Sequence, residues 1–204
     1  MRKPWKFIKM QTNESITILS AFDFLRSLSA RLTGDLKSTG RVRGLLSAAL
    51  ELAETNHELW REEDLARRLN VEPIEIVANK RMIDKLNQSR NNQIELIDIA
   101  LYEQFFGATS VPRGRLNSES PGSMLDRMSI MSLKTFYYSK KLRENLSDEF
   151  RTEITTRISN LESQRLDLAS CFDQLISECV GGVGYFRVYQ QYKMYNDERL
   201  RTVS

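Results

Sequence analysis

Between Lys80 and Leu101 the chain reads KRMIDKLNQSRNNQIELIDIAL, and its polar residues recur at the spacing of a helix face. Ile83, Ile94, Ile97 and Leu101 mark an apolar seam that Asn87 and Arg90 interrupt, and Lys80, Asp84, Asn91 and Asp98 run beside it. Polar groups on a core-facing side cost stability unless they are paired. They therefore either lock neighbouring helices together or line a site. The preceding segment adds Asn56, Asp64 and Arg67, which continue the face begun by Leu46, Ala49 and Ala53. As antiparallel neighbours, the two helices would set these residues against Lys80, Asp84, Asn87, Arg90 and Asn91. Arg67, Arg90 and Lys80 could then hold a phosphorylated or sugar-like metabolite by charge-assisted hydrogen bonds. The competing reading is an ion-pair and amide network that only fixes helix register.

A second polar group lies in the longest irregular stretch, Gly107 to Pro121, and just after it. Loops of this length inside compact domains tend to carry function. Asn117, Ser118 and Glu119 lead into a helix start, where free backbone N–H groups attract anions, and Asp126 and Arg127 follow. Arg113, Arg115 and Arg127 are close in sequence. The glycine and Lys-Ser/Thr spacing of a phosphate loop is absent, and Asn117 or Ser118 serves equally well as an ordinary helix cap.

Two acidic pairs, Glu51 with Glu54 and Glu95 with Asp98, resemble the ExxE…ExxD pattern of helical nucleoside-triphosphate pyrophosphohydrolases, which would hold Mg²⁺. Glu51 and Glu54 also continue into Glu58 and Glu62, and an exposed acidic stripe accounts for them more simply. His57 is the sole histidine; near Trp60 and Asp64 it reads as a packed, hydrogen-bonded side chain. Zinc needs more His or Cys ligands than lie nearby, and no nucleophile-elbow or dinucleotide motif appears. No catalytic residue, metal ligand or cofactor is assigned.

Helical periodicity positions these residues, and strand-like alternation is almost absent. The pattern predicts a first helix over about Ile16 to Leu32 and a linker at Asp35 to Gly40. It predicts a second helix from Gly44 to Leu69 and a third from near Pro73 to Phe106. Pro121 opens a fourth helix. Met124, Met128, Met131, Tyr138 and Leu142 form one of its faces. Ile130, Leu133 and Tyr137, with Asp126 among them, form the other, so it must be covered on both sides. Ser147 caps a fifth helix bearing Ile154, Ile158, Leu161, Leu168, Phe172, Leu175 and Cys179, interrupted by Arg165 and ended by Gly181 and Gly182. The aromatic tail, Tyr185 to Asp197, should pack back on the bundle.

The 204 residues are 41% hydrophobic and 28% charged, as in ordinary globular proteins. Lys+Arg 30 against Asp+Glu 27, a net charge of +3, is too balanced for a nucleic-acid footprint. Cys171 and Cys179 on one helix would lie about 12 Å apart along its axis, beyond the roughly 7 Å limit for a disulfide. Free thiols suit a reducing cytosol. The basic N-terminus lacks the apolar region of a signal peptide, and no run approaches a membrane span.

Asn56–Arg67 (NHELWREEDLAR), Lys80–Asp98 (KRMIDKLNQSRNNQIELID), Asn117–Lys134 (NSESPGSMLDRMSIMSLK) and Lys193–Asp197 (KMYND) follow one another in an order that resembles a bacterial family, domain of unknown function 4254. The resemblance covers roughly Leu45 to Asp197. It implies a mostly helical, soluble bacterial protein, brings no catalytic residues with it, and associates members with cell-envelope polysaccharide gene clusters. Two positions depart from similar sequences: Arg61 stands where His often follows the Leu-Trp pair, and Glu198 where Pro often follows Asn-Asp.

Together these readings predict an all-α, antiparallel helical bundle of about five helices, four of them long. A basic N-terminal segment (1–15) precedes a single domain (16–204) with an aromatic C-terminal tail. We expect a cytoplasmic protein that binds a small anionic metabolite, a nucleotide-sugar or phosphosugar, in a polar interhelical cleft, without nucleic acid, stable membrane insertion or cofactor. A helical interaction module with structural polar seams, which could pair as a homodimer, is the alternative; a Mg-dependent pyrophosphohydrolase-like enzyme is the next.

Overall fold

A computed structural model of the chain describes residues 44–107 and 111–190, together with Phe24, Leu25 and Leu28. Its main elements are four helices: α1 (Leu45–Leu65), α2 (Pro73–Phe106), α3 (Pro121–Lys141) and α4 (Asp148–Val180). Of the expected first helix, Phe24, Leu25 and Leu28 are helical and buried. The N-terminal segment 1–15, the rest of 16–32, the linker 35–40 and the KMYND motif lie outside the described residues.

Local chemistry sets the helix ends. Pro73 and Pro121 sit in the first turns of α2 and α3, where the missing N–H is not needed. The Ser147 hydroxyl accepts from the Phe150 amide at the start of α4. For α3 the cap is Ser120, which accepts from the Ser123 amide at 3.4 Å, and not Asn117 or Ser118. The prolyl ring at Pro121 fixes the first helical position, so the residue just before it becomes the cap. The α1 helix stops at Leu65, four residues short of the predicted Leu69, because the backbone turns through Ala66 to Glu72 ahead of Pro73.

The helices form an antiparallel bundle. Asn79 of α2 bonds Glu62 near the end of α1, while Arg90, further along α2, stands level with Asn56, earlier in α1, so the two run in opposite directions. Ser132 against Arg165 and Tyr138 against Arg157 show the same reversal between α3 and α4. Helix α3 is central: α1 and α2 pack on it, and so does α4. Its two apolar faces are therefore both used, as the sequence requires.

The closest approach is between α2 and α3 at Gly122. A Cβ there would lie 2.6 Å from the Ile94 carbonyl oxygen and 2.9 Å from Asp98 Oδ1. Glycine lets the two backbones touch, and that contact sets how far apart the helices stand further along.

One feature is strand-like. Arg115–Leu116 (β1) pairs in parallel with Gly184–Tyr185 (β2), so the loop before α3 is tied to the chain after α4. Gly114 has φ +104°, and a Cβ on it would meet the Val183 carbonyl at 2.2 Å. Phe186 follows β2 into the core, against Tyr102 and Phe106 at ring separations of 6.0 and 6.2 Å. This much of the aromatic tail packs back as expected, whereas Tyr189 is exposed. Cys179 is buried and Cys171 exposed, both as free thiols; burial pushes the Cys179 thiol up to about 11.

Gly122→Ala is expected to lower stability by about 1–3 kcal/mol, the usual cost of overpacking, although alanine is the better helix former by about 1 kcal/mol. Urea denaturation decides it. A variant as stable as the parent would mean that the α2–α3 crossing is not as tight as described.

Candidate functional site

Three helices meet at one buried carboxylate. Asp126, in the second turn of α3, receives two hydrogen bonds from Arg90 of α2: Nε to Oδ1 at 2.8 Å and Nη2 to Oδ2 at 2.6 Å. Asn56 of α1 donates through Nδ2 to Asp126 Oδ1 at 2.8 Å and to Ser129 Oγ at 2.6 Å. Ser129 in turn donates to the Asp126 carbonyl. The carboxylate is thus neutralised by a bidentate guanidinium and further bonded by an amide, which is what a buried charge requires. The bond to Asp126 raises the Arg90 pKa, with burial opposing it.

Asp126 spends only one edge of the guanidinium. Nη1 of Arg90 makes no hydrogen bond among the described residues, and the side chain is 29% exposed. The polar stripe of α2 is graded in burial. Asp98 is 2% exposed, Asn91 and Asn87 are half-buried, and Asp84 and Lys80 are exposed. Burial falls along this stripe with distance from the Gly122 crossing, and Arg90 lies on its half-buried stretch.

Asp98 has a separate task. Its Oδ1 accepts from the Gly122 amide at 2.6 Å, so α2 supplies a carboxylate to the N-terminus of α3, where the helix dipole favours negative charge. Burial nevertheless dominates and pushes Asp98 up to about 6. The Ser120 hydroxyl and the Gly122 amide act against that shift, and nearby Glu95 adds to it.

At the other side of the three-helix junction, His57 Nε2 lies 3.0 Å from Tyr137 Oη, and the Trp60 ring is stacked on Tyr137 at 4.9 Å and 7°. Burial, then the charge of Arg61, lowers the His57 pKa, against Glu58. Its imidazole is neutral at pH 7, and the tautomer decides which partner donates.

The remaining candidates divide as follows. Asn117 donates to the Glu119 carbonyl at 2.7 Å, and Arg127 pairs with Glu119 at 2.7 Å on the surface. They form a small group beside the start of α3. Asp64 and Arg67 are exposed and do not join the inner seam; Arg67 pairs with Glu63, as does Lys80 at 3.8 Å. Their expected facing of α2 fails for two reasons. Residues spaced four apart drift by roughly 40° per step, carrying Asp64 about 80° from Asn56, and Arg67 lies beyond the end of α1. Asp84 shares its side of α2 with Asn91 and Asp98 but lies farther from the Gly122 crossing, and it is exposed. Sequence reasoning missed Ser129 and the His57–Tyr137 bond. Helical spacing had already put Tyr137 on the face of Asp126, and the i+3 position would have added Ser129.

Glu51 is exposed and accepts from Ser47, while Asp98 is buried against α3. Among the described residues, no group of three or more His, Cys, Asp or Glu is placed to hold a metal ion. No helix among them is long and apolar enough to cross a membrane.

The chain belongs to the family described as protein of unknown function (DUF4254), whose model matches residues 46–188. The match runs from α1 to just past β2 and contains the whole Asn56–Asp126–Arg90 junction; it stops short of the KMYND motif. No curated protein and no solved structure is significantly similar to the chain.

Two outcomes follow. Asp126→Ala should cost roughly 3 kcal/mol, near the low end for a broken buried ion pair because Arg90 regains some water; a loss below about 1 kcal/mol in urea titration would contradict the clamp. Asp98 gives a pH dependence. Its folded pKa of about 6 exceeds its ordinary 3.8, so between these values the folded state holds more protons and stability falls as pH rises. Asp98→Asn removes that term. Relative to this variant, the parent should lose on the order of 3 kcal/mol from about pH 4 to pH 7; a constant difference across that range would refute the shift.

Proposed function

We propose that this protein binds a small anionic metabolite, a phosphosugar or nucleotide-sugar, in the polar margin between α2 and α3. The observation that carries this reading is the half-used guanidinium of Arg90. Asp126 fixes the plane of the group through Nε and Nη2, Nη1 has no partner among the described residues, and the side chain as a whole is partly exposed. A donor held in place before the ligand arrives loses little freedom on binding. Asn87 and Asn91, within one turn of Arg90 and half-buried, add amides suited to sugar hydroxyls or phosphate oxygens. The inner part of the network, Asn56 with Asp126 and Ser129, is the clamp that holds this donor still.

The two free thiols fit a reducing bacterial cytosol, and sugar phosphates are made and used there. The alternative, an interaction module, draws on the apolar end of the α1–α2 hairpin, where Leu65, Leu69, Ile74, Val77 and Met82 are exposed.

A thermal-shift screen against phosphosugars and nucleotide sugars tests the proposal, since a ligand of the native state raises its stability. At about 100 times Kd the gain is about 2.7 kcal/mol, and it should vanish in Arg90→Lys, which keeps the charge but loses the fork. If no compound shifts the transition and light scattering shows a dimer, the binding reading falls and the interaction module takes its place.

A further inference from the structure

Arg165 lacks the carboxylate that a half-buried arginine calls for, and we infer that a second copy of this chain supplies it. Two copies cross antiparallel along α4, with Glu162 of each against Arg165 of the other. The inference is independent of the ligand reading above.

Among the described residues, Arg90 and Arg165 are the two Lys or Arg side chains that are not exposed. Arg90 meets Asp126 through two hydrogen bonds. Arg165 meets no carboxylate. It stands in the middle of the inner face of α4, with Leu161, Leu168 and Ala169 beside it at helical spacing. Its one hydrogen bond among the described residues runs from Nη1 to Ser132 Oγ on α3, at 3.2 Å. Nε is buried and has no acceptor. Ser132 is neutral, so the charge of the guanidinium is uncompensated. A half-buried charge in that state is costly until an opposite charge joins it. Nη2 and the second Nη1 hydrogen remain for a carboxylate that arrives from outside the chain.

Glu162 is the complement. It lies one turn before Arg165 and about 60° round the helix, at the border of the inner face. It is exposed, and it makes no hydrogen bond or ion pair among the described residues. Within one chain the two do not pair, because Arg165 reaches across to Ser132 instead.

A twofold contact requires residue i of one copy to meet j of the other, and j to meet i. Glu162 and Arg165 meet this condition when two α4 helices cross antiparallel with the axis between Ser163 and Gln164. The same register sets Leu166, 48% exposed, against the half-buried Leu161 of the second copy. It sets Glu153 against Gln174 and Arg157 against Ser170, so no like charges oppose each other near the crossing. Ser159 and Ser163, exposed beside Glu162, are short enough to let the helices approach. An unrelated acidic partner could satisfy Arg165 but would leave Glu162 without a counterpart; a second copy satisfies both.

Sedimentation equilibrium of the full chain tests this. The parent should be dimeric at micromolar concentration. Glu162→Arg, at an exposed position, and Arg165→Glu should each weaken the dimer by roughly a hundredfold, about tenfold for each of the two symmetric contacts. Mixed in equal amounts, the two variants should reassociate as a heterodimer, because one then presents only positive and the other only negative charge at the crossing. That rescue distinguishes a contact between chains from one within a chain. If Arg165→Glu fails to fold, Arg165→Met takes its place; it removes the charge, keeps the bulk and should also weaken the dimer. A parent that stays monomeric overturns the inference. So does a dimer indifferent to Glu162→Arg, which would move the contact to another face such as the exposed end of the α1–α2 hairpin.

Discussion

The bundle depends on one buried carboxylate. Asp126 sits on the central helix and is held by Arg90 from α2 and Asn56 from α1. Each helix of the triad contributes one group, and none can be rotated or shifted by a residue without stranding a polar atom out of water. Apolar side chains alone would tolerate such slips, because hydrophobic contact is not directional. The network therefore specifies register at least as much as it adds stability, a role best attested for single buried polar groups in helical assemblies.

The clamp works together with the Gly122 crossing. Where α2 and α3 touch, Asp98 is shut in against the start of α3; a little further along, Asp126 and Arg90 hold the pair; beyond them the polar stripe reaches solvent. The core residues cluster toward the crossing, with Ile97, Leu101, Met124, Leu125, Phe172, Leu175 and Phe186 all buried. The opposite end exposes Leu69, Ile74 and Val77. The main apolar cluster thus lies at one end of the described bundle, while Leu59, Ile83, Leu133 and Ile154 are buried outside it.

Much of this was legible in the sequence because one period governs almost the whole chain. Apolar spacing, Pro73, Pro121 and Ser147 placed four helices, and the two-faced pattern of α3 required that it be covered on both sides. Asn56, Arg90 and Asp126 stood out as polar interruptions of apolar faces, and they do converge. What spacing could not give was depth. Lys80, Asp84 and Asp98 share a stripe, but only Asp98 is buried, because only there does Gly122 bring α3 against α2. Asp64 and Arg67 were misplaced for a related reason: a helical face rotates gradually, and α1 ends earlier than its composition suggests. The β1–β2 tie was invisible, since two residues on each side leave no alternating pattern.

The electrostatics of the His57–Tyr137 pair keep both side chains uncharged. Burial and the charge of Arg61 both depress protonation of His57. Burial and Asp64 likewise hold Tyr137 in its phenol form. The two are bonded to each other as neutral partners and serve as a fixed hydrogen-bonding edge. Arg61 acts here through its charge, lowering the His57 pKa and opposing the rise that burial and Asp64 give Tyr137.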